Sequence, residues 1–261
     1  MTLQLDPRRI AMLQEMGLRL LPRVAVDAEP EGVVAEVVQA PEAVEVRAPV
    51  VRPAPAPAAV PLPPPRVMGD RAAGVESLGW AELEAAVAGC RACGLCESRR
   101  NTVFGVGPQR ADWMVIGEAP GENEDLQGEP FVGQAGKLLD NMLRAAALDR
   151  RRNVYIANVL KCRPPGNRNP EPEEVEKCSP HLRAQIGLIA PKLILAMGRF
   201  AAQTLLNTDA SIASLRGRLH EHAGVPLIVT YHPAYLLRNL PDKAKAWEDL
   251  LFARRTMASL R

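Results

Sequence analysis

Aromatic residues are scarce in this chain: four Phe, three Trp and three Tyr make up 4% of 261 residues. With 47% of residues hydrophobic, the interior must therefore be built from aliphatic side chains and Ala. No run of about eighteen apolar residues occurs, so no membrane-spanning helix is expected. The first residues lack the basic-then-apolar order of an export signal, because Arg8, Arg9, Glu15 and Arg19 interrupt them; a cytoplasmic protein is expected. Neither GxGxxG nor GxxxxGK[ST] stands at the first strand of the main domain, which argues against a nucleotide-phosphate loop there. Strong charge is lacking as well. A formal net charge of +2 and a pI near 8.3 are too mild to declare a polyanion binder. Residues 71–261 carry 25 Lys+Arg against 21 Asp+Glu, so any such contact must come from a local patch.

Three segments differ in composition. Residues 1–23 hold a short amphipathic pattern over 6–21, with Ile10, Leu13, Met16 and Leu20 near one face and Gly17 weakening it. Such a segment folds back on the main domain, frays, or docks a protein partner. Residues 24–70 are rich in Pro, Ala, Val and Glu and contain 10 of the 24 prolines. That composition buries too little surface to offset chain entropy, so a disordered, semi-stiff linker is expected. The main domain spans 71–261. Strand patterns at 112–117, 153–159, 192–197 and 226–231 alternate with helical patterns at 135–147, 171–189, 199–206 and 242–259, after a first helix carrying Leu83, Ala86 and Val87 inward. This alternation predicts an α/β fold with a parallel sheet covered on both faces.

Five cysteines in a cytoplasmic chain point to metal or redox chemistry rather than disulfides. Cys90 and Cys93 form a CxxC at a helix end; Cys162 follows the second strand and Cys178 lies on the next helix. Zinc and [4Fe–4S] both accept four thiolates. Zinc ribbons pair two CxxC units, whereas one CxxC plus two dispersed cysteines leans toward iron–sulfur. Cys96 extends the run to C-x2-C-x2-C and is taken as a bystander.

Ligands of parallel α/β sheets bind at the carboxyl ends of strands. Two such ends carry chemistry. The run 113–116 breaks into Gly117-Glu118-Ala119-Pro120-Gly121, and the run 227–229 leads to His232-Pro233-Ala234-Tyr235. A carboxylate and an imidazole placed this way suit acid/base or electrostatic catalysis. Gly117, Ala119 and Gly121 permit close backbone approach, and Gly133 opens a helix whose N-terminus can hold a phosphate.

The segments GEAPGENED (117–125), GEPFVGQAGKLLD (128–140), NVLKCRPPGNRNP (158–170), LILAMG (193–198) and YHPAYLLR (231–238) follow one another in a known order. From about Leu78 to about Asp249 the chain resembles the family 4 uracil-DNA glycosylases. The resemblance implies a three-layer α/β/α domain with a central four-stranded parallel sheet. It also implies a [4Fe–4S] cluster on Cys90, Cys93, Cys162 and Cys178, with a structural role by default.

Carried onto this sequence, the resemblance implies excision of uracil from DNA. Glu118 positions water and stabilises the cationic sugar, and His232 donates to uracil O2. Phe131 stacks on the flipped base, and Asn158 pairs with uracil O4 and N3–H and so rejects cytosine. Gly117 and Ala119 complete the pocket, although some relatives carry a glycine where Ala119 stands. Arg163, Asn167, Arg168 and Arg238 are expected on the DNA backbone. Leu236 is the expected wedge into the vacated stack, with Leu237 as a rival. Glu122, Glu124 and Asp125 are read as capping or loop-ordering acids, and His181, His220 and His222 as surface residues. No lysine flanks Glu118 or His232, so a monofunctional, monomeric enzyme that leaves an abasic site is expected. Two other readings remain: a catalytically weak iron–sulfur DNA-binding protein of the same fold, and a small-molecule α/β enzyme.

Overall fold

In a computed structural model of the chain, residues 74–260 are described. The amphipathic segment 1–23 and the linker 24–70 lie outside these residues. After a 3-10 turn at Val75–Ser77, helix α1 (Trp80–Ala88) buries Leu83 and Val87 and stops at Gly89. A one-turn helix α2 (Leu95–Ser98) leads to strand β1 (Trp113–Gly117). There follow α3 (Glu122–Gln127), α4 (Gln134–Ala145), β2 (Val154–Asn158), α5 (Pro172–Ile189), β3 (Leu193–Met197) and α6 (Arg199–Leu206). The domain ends with α7 (Ile212–Leu215), β4 (Leu219–His222), β5 (Val225–Thr230), α8 (Pro233–Arg238) and α9 (Asp242–Ser259).

The sheet runs β2-β1-β3-β5-β4. The first four strands of that order are parallel, and β4 adds an antiparallel edge to β5 through the positive-φ turn Ala223-Gly224. The sheet therefore has five strands rather than the expected four. β4 escapes a reading by hydrophobic runs because its four residues, Leu-His-Glu-His, alternate between exposed and half-buried. An edge strand of this kind, short and polar, also resists pairing with another chain.

Strands β1, β2 and β3 are buried along their whole length, as expected of parallel strands covered on both sides. Alternate residues feed two cores. On one face Met114, Ile116, Tyr155, Ala157, Ile194, Ala196, Leu227 and Val229 meet α5, α6 and α7 through Leu182, Ile186, Ala202, Leu205 and Leu215. On the other, Val115, Ile156, Leu195 and Ile228 meet α4, α8 and α9 through Leu139, Met142, Leu236, Ala246 and Leu250. The result is a three-layer α/β/α domain. Each fully buried Leu or Ile contributes about 1.5–3 kcal/mol, which suffices without a large aromatic core.

Candidate active site and cysteine centre

The four parallel strands all end on one edge of the sheet, and each end carries a candidate group. β1 ends in Gly117 and hands on to Glu118; β2 ends in Asn158; β3 is followed by Gly198; β5 is followed by His232. Beyond their last residues β1 and β2 stay in register, with the Val159 and Leu160 amides donating to the carbonyls of Gly117 and Glu118 (3.0 and 3.1 Å).

Gly117 lies at the centre. A Cβ there would stand 2.4 Å from Asn158 Oδ1 and 2.7 Å from Phe131 Cζ, so the missing side chain is what lets amide and ring approach. The Phe131 ring is buried and sits 5.4 Å from the His232 ring, tilted by 31°. Its backbone is left-handed (φ 55°), a conformation that costs an L-residue about 1–2 kcal/mol unless the surroundings enforce it. Gly198, at φ 92°, is pressed against His232, since a Cβ would come within 2.9 Å of the histidine Cβ.

His232 is the N-cap of α8, and its Nδ1 accepts the Ala234 amide at 3.1 Å. An Nδ1 that accepts leaves the ring proton on Nε2, so the free edge of the imidazole is a donor. Burial pushes the pKa down to about 4, outweighing the nearby Glu124, so the ring is neutral near pH 7. Glu118 moves the other way. Burial raises its carboxyl to about 7, and the Arg199 guanidinium at the start of α6 pulls against that rise. A carboxyl poised near neutrality and a neutral imidazole donor thus stand at two strand ends on the same edge of the sheet.

The acids following Glu118 organise the loop, as expected. Glu124 Oε2 accepts the Gly121 amide (3.1 Å), and Oε1 accepts those of Val132 and Gly133 (2.9 and 3.1 Å). A carboxylate thus already lies at the N-terminus of α4, where a phosphate was anticipated. Asp125 is buried and accepts the Arg100 and Asn101 amides (2.9 and 3.2 Å).

Several expected site residues sit differently. Leu236 is 0% exposed and packs in the core, whereas Leu237 is 41% exposed. Proline at the first position of α8 and His232 as its cap turn position 236 inward and 237 outward, so Leu236 is not a wedge. Arg168 is held by Glu174 through two hydrogen bonds (3.0 and 2.5 Å) at the start of α5. Arg163 Nε donates to Asn167 Oδ1 at 2.7 Å, ordering the loop between them, and Arg238 is exposed at the end of α8. His181 is not at the surface: it is buried on α5, its pKa is lowered to about 4 by burial, and its Nδ1 lacks a partner among the described residues. His220 and His222, on β4, are half-buried, with ring nitrogens 2.7 Å from the Leu215 and Leu205 carbonyls. Arg199 and Gly198 were missed by sequence reasoning, although both stand at a strand end where the same rule would have found them.

Cys90, Cys93, Cys162 and Cys178 line one small cavity, partly open to solvent, together with Cys96, His181, Arg99 and Lys161. Arg99 Nη1 donates to Cys162 Sγ (2.9 Å), and the Lys161 amide donates to Cys178 Sγ (3.3 Å). Without a metal, burial raises the Cys162 and Cys178 thiols to about 11 and 12. Among the described residues, no three His, Cys, Asp or Glu converge tightly enough for one ion. A single tetrahedral zinc would need its sulfurs about 3.8 Å apart. Four thiols on one cavity, with cationic and amide donors aimed at two of the sulfurs, suit a thiolate-bound metal group in general.

Fold and site together define an α/β enzyme with its reactive groups at the strand ends. A sequence profile of the "Uracil DNA glycosylase superfamily" matches residues 104–251, more than half of the chain. The chain is 49% identical over 156 residues to a type-4 uracil-DNA glycosylase of Archaeoglobus fulgidus, covering 57% of this chain and 78% of that protein. It is 46% identical over 158 residues to one of Thermotoga maritima (60% and 82% covered), and 41% identical over 176 residues to one of Sulfurisphaera tokodaii (64% and 80% covered). The chain belongs to the uracil-DNA glycosylase superfamily, in its type-4 branch.

Proposed function

We propose that the protein excises uracil from DNA by hydrolysing the N-glycosidic bond, releasing free uracil and leaving an abasic site. The observation that carries this reading is the meeting of Phe131 and Asn158 at the side-chain-free Cα of Gly117, with His232 against the Phe131 ring and Glu118 next in the chain. Flipped uracil is flat, carries two carbonyls and one N–H on its recognition edge, and leaves as an anion. An aromatic wall, an amide and a neutral N–H donor answer those three properties in turn.

In this mechanism Phe131 stacks on the base, an interaction worth about 1–3 kcal/mol. Asn158 pairs with O4 and N3–H. A cytosine amino group at the same place would leave the buried amide mismatched, which is the strong form of discrimination. As the C1′–N1 bond lengthens, positive charge spreads over the sugar and negative charge over the base. The ionised Glu118 stabilises the first, and the His232 Nε2–H donates to O2 as the second grows. Water then bonds to C1′ and its proton passes to Glu118, whose pKa near 7 suits a base at neutral pH. The base departs with the bonding electron pair. No lysine attacks C1′, so the strand is left intact.

Of the two leucines considered as wedge, the exposed Leu237 takes that role, with Arg238 beside it on the phosphates. Arg163 and Asn167 present the loop after Cys162 to the backbone, and Arg168 supports that loop through Glu174. Cys90, Cys93, Cys162 and Cys178 hold a [4Fe–4S] cluster that ties α1 to α5 and to the loop after β2. When bound, the cluster supplies a cross-link between these elements. Cys96 stays outside the ligand set.

The test is release of uracil from a uracil-containing oligonucleotide, read as alkali-labile cleavage. Glu118→Gln and His232→Ala should each abolish most of it while DNA binding persists. Nicking without alkali would contradict a monofunctional reaction.

A further inference from the structure

Phe131 cannot hold its own position. Its backbone is left-handed, its ring is wedged between Gly117 and His232, and the turn bearing it belongs to neither a helix nor a strand. Two ions of opposite sign grip that turn. On one side the Glu124 carboxylate takes the amides of Val132 and Gly133. On the other, Arg150, from the turn before β2, donates Nη2 to the Phe131 carbonyl (3.0 Å) and Nη1 to the Pro130 carbonyl (3.3 Å). The third face of the same guanidinium is fixed by Asp140 of α4, which accepts from Nε at 2.7 Å.

We propose that Arg150, oriented by Asp140, is a positioning residue for uracil recognition: it sets the backbone of Phe131 so that the ring lies where a flipped base must stack. A planar guanidinium suits the task. It addresses two consecutive carbonyls and a carboxylate at once, a geometry a lysine ammonium cannot reproduce. The guanidinium is engaged by the Pro130 and Phe131 carbonyls and by Asp140, and the side chain is only 16% exposed, so its route to the base runs through Phe131. The ordinary surface ion pair it resembles contributes little, because exposed pairs generally do. Here the two carbonyl contacts carry the effect, and the carboxylate keeps the fork aligned.

The inference rests on Phe131 being the stacking residue, and the experiment separates the two claims. Inhibition by free uracil and the single-turnover rate on a uracil-containing single strand are measured for wild type, Arg150→Met, Phe131→Ala and the double variant. Arg150→Met should weaken uracil inhibition about tenfold and slow excision by a similar factor, the scale of one lost stack. Arg150→Lys should recover only part of this. In the Phe131→Ala background, Arg150→Met should change nothing further. Additive losses in the double variant overturn the proposal, because Arg150 would then act elsewhere. A lowered melting temperature with unchanged uracil inhibition overturns it too, leaving Arg150 a brace. If Phe131→Ala itself leaves uracil inhibition intact, the stacking assignment fails, and the Arg150 proposal with it. Should Arg150→Met not fold, Asp140→Asn keeps the guanidinium and removes only its anchor; a smaller loss in the same direction is expected, and none would refute the alignment role.

Discussion

Glu118 should make catalysis pH-dependent around neutrality. Burial lifts its carboxyl to about 7, and only the ionised form stabilises the sugar cation or accepts a proton from water. His232 adds no second limb, because its pKa near 4 leaves the ring neutral throughout the working range. The single-turnover rate should therefore climb with unit slope below pH 7 and level off above it. At pH 6 about one Glu118 in eleven is ionised, so the rate falls to about a tenth of its plateau. Arg199 lowers the carboxyl pKa, hence Arg199→Met should carry the midpoint upward. The same shift affects stability with the opposite sense. An unfolded Glu ionises near 4.5, while the buried one resists until about 7, so folding loses free energy as pH rises between these values and stays lower beyond. Glu118→Gln should consequently melt higher than wild type at pH 8 and no higher at pH 4.5. Quenched-flow or manual single-turnover excision over pH 5–9, with melting curves at both ends, tests each part. A flat wild-type profile across this range would refute the argument, since Glu118 would then be ionised throughout.

Other outcomes follow from the packing. Leu236→Ala should destabilise the fold by about 2–5 kcal/mol in chemical denaturation, as expected for a core leucine, without a selective effect on duplex substrates. Leu237→Ala should leave stability unchanged and slow excision from duplex more than from single strands, where no stack needs filling. Gly198→Ala meets both a positive φ and the His232 Cβ at 2.9 Å; a stability loss of about 1 kcal/mol and a much larger loss of excision are expected. Protein purified without air should carry about four irons and a broad visible band, and Cys162→Ser should lose both; full iron retention in that variant would remove Cys162 from the ligand set.

Much of the fold is legible along the chain because four apolar runs alternate with helical periods, and each run recurs as a parallel strand within a residue or two. Position within the sheet is not legible. Nothing in Leu-His-Glu-His marks a strand, because β4 borrows its order from β5 rather than from buried side chains of its own. The site was partly readable for a related reason. Glu118, Asn158 and His232 stand at or just beyond strand ends, so a rule about strand ends finds them, whereas Arg150 acts from a turn and shows its purpose only when Phe131 folds back over it. Leu236 and Leu237 mark the limit most clearly. They are identical letters side by side, and only the hand of a six-residue helix capped by His232 decides which one enters the core.

The spread of the site over four strand ends has a consequence for partial chains. From Gly117 to His232 the reacting surface is stitched from segments separated by whole helices, so no short contiguous fragment contains it. Cutting the chain in the turn between α6 and α7 would leave Glu118, Phe131 and Asn158 on one piece and His232 on the other, each inert. Uracil release would return only when β5 docks beside β3, which makes the reaction itself a reporter of strand assembly, readable one oligonucleotide at a time.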